Sequence, residues 1–180
     1  MNYDQNADIL YSAKPPYKLK GISYQFTDET NYLEPVTLDD FKEYAGIDWQ
    51  IDDFLVSKML TSARVSTEKY LLKSLGVRTV LFKAQECYEN YELSWVPVEE
   101  VVTEGFTVFS NLLVEGGENI EVEFITNDSF VNESIKEAIM MKAMDSFNNR
   151  GRYLTRYRET GQLVDRWKDL LKPYRKMVYP

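Results

Sequence analysis

The spacing of hydrophobic residues divides the chain into a helical stretch, a strand-rich stretch and a second helical stretch. Apolar residues recur every three or four positions over 37–75, every second position through much of 78–125, and every three or four positions again over 133–171. A period near 3.6 indicates an amphipathic helix, and a period of 2 indicates a half-buried strand. The pattern therefore predicts an α+β fold.

Two helices are predicted in the first stretch. Thr37 and Asp40 have the spacing of a capping box, and Gly46 is a stop signal, so the first helix lies between them. A second helix is predicted over residues 54–75, with Gly76 as the residue that ends it. Its apolar face is expected to comprise Leu55, Met59, Ala63, Ser66 and Tyr70, widened by Leu60, Leu71 and Leu75.

The middle of the chain predicts a small antiparallel sheet with one face in water. Alternating apolar positions occur at Val80, Phe82, Ala84, Tyr91, Leu93, Trp95, Ile120, Val122 and Phe124. Residues 115–118, Glu-Gly-Gly-Glu, are predicted to form a tight hairpin turn, because paired glycines accept positive φ. The same four residues lack the Lys-Ser/Thr of a phosphate-binding loop.

Two further helices are predicted in the last stretch. One begins at Asn132 or Glu133 and ends before Gly151, with an apolar row formed by Ile135, Ile139, Ala143 and Phe147. The other covers about residues 162–171, and Pro173 marks its end. The chain is thus expected to be helix-dominated, with a four-helix core, a small inserted antiparallel sheet and extended terminal arms.

The domain organisation follows from the same pattern. Residues 1–35 are polar, rich in tyrosine and without a helical period, so they are expected to form an extended N-terminal arm. Residues 36–180 are expected to form a single domain. Within it, residues 36–76 supply helices, residues 78–125 the β insertion, and residues 132–180 the C-terminal helices and a basic tail.

Composition excludes several classes of chemistry. The chain of 180 residues has no histidine and one cysteine, Cys87, so histidine-based catalysis and an internal disulfide are excluded. No apolar run reaches the length of a membrane helix, and the N-terminus lacks the pattern of a secretory signal, so assembly in the cytoplasm is expected. Cys87 lies near acidic residues and is interpreted as an inert filler.

Paired carboxylates are the remaining candidates for catalysis. The pairs are Asp39/Asp40, Asp52/Asp53, Glu99/Glu100 and Glu121/Glu123. They fall at predicted helix N-termini or on the wet side of strands, where the helix dipole and solvation explain them. An enzyme would require one pair to be buried in a cleft with a shifted pKa. We therefore expect no catalytic residue, no metal site and no cofactor.

Charge is distributed unevenly. Residues 1–141 carry 11 Lys and Arg against 25 Asp and Glu, whereas residues 142–180 carry 10 against 4, which together give the net charge of −8. The segment 150–158 interleaves four arginines with two tyrosines. Such residues suit an acidic partner, and a protein is favoured over nucleic acid because the rest of the chain repels a polyanion. The candidate interface residues are Arg150, Arg152, Tyr153, Arg156, Tyr157, Arg158, Tyr174 and Arg175.

The chain contains characteristic phrases at residues 35–38, 96–101, 122–139 and 170–175. In this order they resemble the head–tail connector (adaptor) proteins of long-tailed bacteriophages. Pro35-Val36-Thr37-Leu38 resembles the family's first helix start, and the acidic turn and long helix that follow match its opening. Residues 96–101, Val-Pro-Val-Glu-Glu-Val, are similar to its strand-entry phrase, and residues 122–124 with 135–139 to its passage from strand to helix. Residues 170–175, Leu-Leu-Lys-Pro-Tyr-Arg, resemble its closing phrase.

The resemblance implies a structural subunit of the virion neck. It implies a ring, expected to be dodecameric, that docks beneath the portal protein, extends the channel for packaged DNA and offers a platform to the tail or a tail-terminator protein. Removal of residues 150–180 is then expected to abolish portal docking and leave the core folded. The alternative function is that of a nucleic-acid-binding accessory protein that uses segment 150–158.

Overall fold

The computed structural model describes residues 19–28, 32–47, 53–149 and 166–175. The chain divides into two units. The sheet unit comprises Met1–Glu29, Thr79–Leu93 and Val98–Ile125, and the helical unit comprises Thr30–Arg78, Ser94–Pro97 and Thr126–Pro180. The α+β class is confirmed. Helix accounts for 39% and strand for 28% of the structure, so the sheets form a larger part of the fold than a helix-dominated chain would have.

The described part of the helical unit contains four α-helices and a short 3-10 helix. Their bounds are α1 Leu38–Ala45, α2 Asp53–Leu71, α3 Glu133–Asn148, α4 Arg166–Leu171 and the 3-10 turn Lys172–Tyr174. The caps of α1 are those predicted, since Thr37 and Asp40 exchange hydrogen bonds and Gly46 adopts the left-handed conformation. Helix α3 begins at Glu133, one of the two predicted starts, and Asn132 caps it by accepting from the Ile135 N–H.

Helix α2 differs from its prediction in length and in the face that it buries. It ends at Leu71 rather than Leu75, because Leu72 takes a positive φ of 55° and the chain turns away. Its buried face comprises Val56, Leu60, Ala63, Arg64, Thr67, Glu68 and Leu71, a stripe rotated from the predicted one. Arg64 and Glu68, which are absent from the predicted apolar face, lie in the interior.

The helical core packs side chains from all four helices. Its buried members include Phe41 of α1, Leu60 of α2, Ile139 of α3, and both Trp167 and Leu171 of α4. Trp167 and Leu171 lie within the segment whose removal was expected to leave the core folded. That expectation is wrong, since deletion of residues 150–180 removes two buried core residues.

The described strands form two sheets. Their bounds are β1 Ser23–Asp28, β2 Thr79–Cys87, β3 Tyr91–Glu92, β4 Val98–Val101, β5 Val108–Phe109, β6 Leu112–Leu113 and β7 Gly117–Thr126. One sheet has four strands in the order β1-β2-β7-β4, and the other has three in the order β3-β6-β5. Strand β1 lies within residues 1–35, the segment predicted to be an extended arm. It is an edge strand of the four-stranded sheet, and the polar sequence of the segment did not indicate it.

Strands β2 and β7 form an antiparallel pair with the predicted alternation. Val80 lies opposite Phe124 and Phe82 opposite Val122, and all four side chains are buried. The hairpin predicted at residues 115–118 is wrong, because β6 pairs with β3 and β5 rather than with β7. The tight turn lies instead at Ser110-Asn111, where both residues have positive φ and connect β5 to β6.

Gly116 serves packing rather than a hairpin. A Cβ at this position would lie 2.5 Å from the backbone nitrogen of Glu89 and 2.8 Å from the carbonyl carbon of Tyr88. Real Cβ atoms do not approach that closely, so only glycine lets the chain pass here.

Candidate interface surfaces

Most of the predicted interface residues lie outside the described residues: Arg150, Arg152, Tyr153, Arg156, Tyr157 and Arg158. Tyr174 and Arg175 are described. The Tyr174 ring meets the Phe130 ring edge-on at 6.0 Å between centroids. The exposed Arg175 guanidinium lies 5.0 Å from the centroid of Tyr70.

These two residues belong to a larger arrangement of cations against aromatic rings. Lys73 lies 3.6 Å from the ring centroid of Phe130, Lys142 lies 5.2 Å from that of Trp167, and Lys168 lies 5.4 Å from the same ring. We call this arrangement the basic–aromatic surface; its members are Tyr70, Lys73, Phe130, Lys142, Trp167, Lys168, Tyr174 and Arg175.

The fold assembles this surface from separate parts of the sequence. Tyr70 and Trp167 meet edge-on at 5.6 Å between centroids, and Trp167 is 4% exposed. The rings anchor in the helical core while the ammonium and guanidinium groups occupy its margin, so cation–π contacts hold the charges in place. The sequence analysis named Tyr174 and Arg175 among the candidate interface residues but did not name Lys142 and Lys168. No pattern in the sequence indicates that α3 and α4 bring these two lysines to the same ring.

A second charged arrangement lies inside the helical unit. Glu68, 1% exposed, accepts hydrogen bonds from four donors: Arg64 at 2.8 Å, Tyr32 at 2.8 Å, the Leu75 N–H at 3.0 Å, and Arg78. The Nε of Arg64 also donates to Glu34 at 3.0 Å. A buried carboxylate requires such partners, because desolvation of an unpaired charge costs several kcal/mol. We call these residues the buried charge cluster.

The buried charge cluster explains local structure rather than chemistry. Its bond to the Leu75 N–H holds the chain in a loop where continued helix was predicted. Burial, followed by the nearby carboxylate of Glu68, raises the pKa of Tyr32 far above its usual value, so the phenol stays protonated as a donor. With its oxygens engaged by two guanidiniums, a phenol and an amide, Glu68 is not placed to exchange a proton with a substrate.

The predicted carboxylate pairs lie where the sequence placed them, as far as they are described. Asp40 accepts from the Thr37 N–H, and hydrogen bonding to Thr37 lowers its pKa. Asp53 pairs with Lys42 at 2.7 Å, Glu99 and Glu100 are exposed on β4, and Asp52 lies outside the described residues. In the described ranges no group of three or more acidic or cysteine side chains is placed to hold a metal ion.

Cys87 has the environment of a packing residue. Its side chain is buried, and burial raises the pKa of the thiol to about 11. A thiol that stays protonated at neutral pH is a poor nucleophile. The interpretation of Cys87 as a filler is thus in keeping with its surroundings.

A shallow groove lies between α1 and α3. Its volume is 290 Å³, and it is lined by Val36, Asp40, Glu43, Tyr44, Glu133, Lys136 and Met140. Lys136 pairs with Glu133 at 2.9 Å, and Asp40 caps α1. Asp40, Glu133 and Lys136 are thereby engaged in local structure. Within the described ranges, every helix is too short or too polar to cross a lipid bilayer.

No protein-family model matches the chain, and no curated protein sequence matches it. Solved structures do match. One chain in the structure titled "Virion of native gene transfer agent (GTA) particle" superposes with a TM-score of 0.64 at 12% identity, over 87% of this chain and 97% of that one.

Two further matches come from structures of the GTA neck. A chain in the neck of the empty GTA particle, computed with C6 symmetry, has a TM-score of 0.64 at 12% identity and covers 88% of this chain and 97% of that one. A chain in the neck of the native particle, computed with C12 symmetry, has a TM-score of 0.55 at 13% identity, over 83% and 97%. At these identities the likeness shows a shared fold.

Proposed function

We propose that this protein is a structural subunit of the neck of a phage-like particle, where head and tail join. The observation that carries the proposal is the fold: it is similar along nearly the whole length of chains found in GTA neck structures. The order of sequence phrases resembling head–tail connectors supports the same role independently.

In this proposal, copies of the chain form a ring beneath the portal protein and extend the DNA channel toward the tail or a tail-terminator protein. The symmetric averaging of the related GTA necks supports a ring, and C12 symmetry supports twelve copies. A net charge of −8 suits a channel through which DNA passes without binding. The arginines and tyrosines of segment 150–158, with Tyr174 and Arg175, bind the portal or a neighbouring subunit. The completed ring resides in the virion after assembly in the host cytoplasm.

Disruption of the gene in a particle-producing host tests this role. The expected product is DNA-filled heads without tails, and a plasmid copy of the wild-type gene restores joined particles. A matched plasmid copy with Arg150, Arg152, Arg156 and Arg158 changed to Gln is expected to fail, whereas Lys58→Gln complements fully. Tailed, infectious particles in the absence of the protein would exclude a role in the neck.

A nucleic-acid-binding accessory role is the second candidate, because the basic–aromatic surface adds described cations and rings to segment 150–158. DNA titration of the isolated protein separates the two. Tight binding that weakens steeply with salt favours the accessory role, and no binding at physiological salt favours the neck subunit.

A further inference from the structure

The two units of the chain differ strongly in charge. In its described residues the sheet unit carries two basic residues against eleven acidic ones, which leaves a net charge of −9. The described part of the helical unit carries twelve basic against eleven acidic residues, a net charge of +1. The acidity of the protein is therefore concentrated in the sheet unit.

Among its described residues, the sheet unit has an excess of carboxylates that its two lysines offset only in part, with Lys20 opposite Glu86. Glu86 and Glu118 lie directly opposite each other on β2 and β7. Like charges in this position destabilise a sheet. Lys83 pairs with Glu121 at 2.6 Å, but two lysines cannot neutralise eleven carboxylates. A basic partner would relieve this repulsion and so gain binding energy from it.

The basic–aromatic surface has the chemistry of such a partner. Its four cations come from the segment after α2, from α3, from α4 and from the end of the 3-10 turn, and its rings pack in or against the helical core. Rings of Tyr and Trp beside Arg are enriched among the residues that dominate protein interfaces. Cations held by ring faces lose little conformational freedom when they meet a carboxylate.

We propose that the basic–aromatic surface of one copy binds the sheet unit of a second copy, with Lys142 and Arg175 facing Glu99 and Glu100. Both glutamates are exposed and lie on β4, an edge strand of the four-stranded sheet. Because the two surfaces differ, each copy offers one of each, and repetition of this head-to-tail contact generates a ring if the rotation closes. The inference deepens the proposed neck function and rests on it for the ring.

A second copy fits this surface better than DNA does. A polyanion that approached the four cations would meet the repulsion of a protein whose net charge is −8. A second copy brings a concentrated acidic surface instead, and its own repulsion falls on contact. The charge distribution thus favours self-association over nucleic-acid binding.

Reciprocal charge exchange tests the contact in the full-length chain. The basic-surface variant is Lys142→Glu/Arg175→Glu, and the acidic-strand variant is Glu99→Lys/Glu100→Lys. Sedimentation velocity over a range of concentrations is expected to show association of the wild type, and each variant alone should associate at least about tenfold more weakly. An equimolar mixture should regain association, because each mutated surface then meets its complement. Lys58→Glu/Lys69→Glu, at two exposed positions of α2 outside both surfaces, has the same change in net charge as the basic-surface variant and is expected to associate like wild type.

Each remaining outcome contradicts the contact. A wild type that stays monomeric at every concentration, variants that associate normally, or a mixture that stays dissociated would each overturn it. Loss of DNA binding with unchanged association would assign the surface to nucleic acid. The neck role is judged separately. If the basic-surface variant complements the gene disruption and forms normal rings, this contact alone is overturned. If the protein associates in a charge-dependent way but is absent from particle necks, the proposed function alone is overturned.

Discussion

At the scale of single residues, Glu68 links three parts of the helical unit. Its carboxylate binds Tyr32 from the segment before α1, Arg64 from α2 and Arg78 from the end of the loop that follows. Tyr32 and Arg78 lie 36 and 10 residues from Glu68 along the chain, so one carboxylate joins segments that are distant in sequence.

Glu68→Gln is expected to lower the free energy of unfolding by about 3–5 kcal/mol, because two buried guanidiniums lose their shared countercharge. Urea denaturation measures the change. Glu137→Gln, an exposed substitution on α3, serves as the control and should leave stability within about 0.5 kcal/mol of wild type. A loss below 1 kcal/mol for Glu68→Gln would mean that the buried charge cluster does not stabilise the fold.

Glu118→Lys is expected to raise the free energy of unfolding by roughly 0.2–1 kcal/mol, because it replaces a like-charge pair with an opposite-charge pair across β2 and β7. Thermal unfolding of the variant and of Glu118→Gln separates relief of repulsion from gain of attraction. An unchanged or lower Tm for both variants would show that Glu86 and Glu118 do not repel appreciably.

At the scale of elements, α4 is short but contributes to the core. Its six residues, Arg166–Leu171, would be marginal as an isolated helix. Burial of Trp167 and Leu171 against the other helices stabilises it instead. The same packing positions Lys168, and the chain continues from α4 through the 3-10 turn to Arg175. The helical core and the basic–aromatic surface therefore both depend on α4.

Leu171→Ala is expected to cost about 2–5 kcal/mol, since Leu171 is fully buried and truncation leaves a cavity. Its exposed neighbour provides the matched control, and Lys172→Ala should change stability by less than about 0.5 kcal/mol. Equal effects of the two substitutions in chemical denaturation would show that α4 does not belong to the core.

The N-terminal cap of α1 gives a pH-dependent prediction. The hydrogen bonds with Thr37 lower the pKa of Asp40 from its ordinary 3.8. A lowered pKa in the folded state means that the cap contributes stability above the unfolded-state pKa and loses it as pH falls through the folded-state value. Thr37→Ala is therefore expected to lower Tm at pH 7, with a difference from wild type that shrinks below pH 3.8. A difference that stays constant into acid would contradict the capping box.

At the scale of the whole molecule, the segregation of charge between units governs association. Contacts between oppositely charged surfaces weaken when salt shortens the Debye length, from about 10 Å at 0.1 M to about 3 Å at 1 M. Wild-type self-association is expected to weaken markedly over that range. Glu99→Lys/Glu100→Lys should show little salt dependence, and a wild type whose association strengthens with salt would indicate a hydrophobic contact instead.

Two exposed phenylalanines are candidates for such a hydrophobic contact between copies. Phe109, beside the β5–β6 turn, is 72% exposed, and Phe54, at the start of α2, is 69% exposed. A single exposed ring does not by itself mark a contact site, so removal of each ring is needed to test for a hydrophobic contact. Phe109→Ser and Phe54→Ser are therefore informative partners to the charge variants in the association assay.

The sequence by itself determined the elements whose signals are local. Thr37 with Asp40, Asn132 and the alternation around Phe82 and Val122 each act through neighbours in the chain or through simple periodicity. The predictions drawn from them, two helix starts and the alternation of buried side chains along two strands, are confirmed. The order of phrases that resembles phage connectors is likewise a property of the sequence, and the shared fold agrees with it.

Only the tertiary structure decided which charges lie inside and which surfaces form across segments. The predicted apolar face of α2 did not include Arg64 or Glu68, because hydrophobic periodicity carries no information on buried ion pairs. Their burial depends on Arg78 and Tyr32, which the fold brings alongside. The end of α2 was misplaced for the same reason. The hydrogen bonds and ion pairs that Glu68 makes with residues distant in sequence outweigh the helix propensity of residues 72–75. The spacing of residues along the chain does not indicate which of these two contributions is larger.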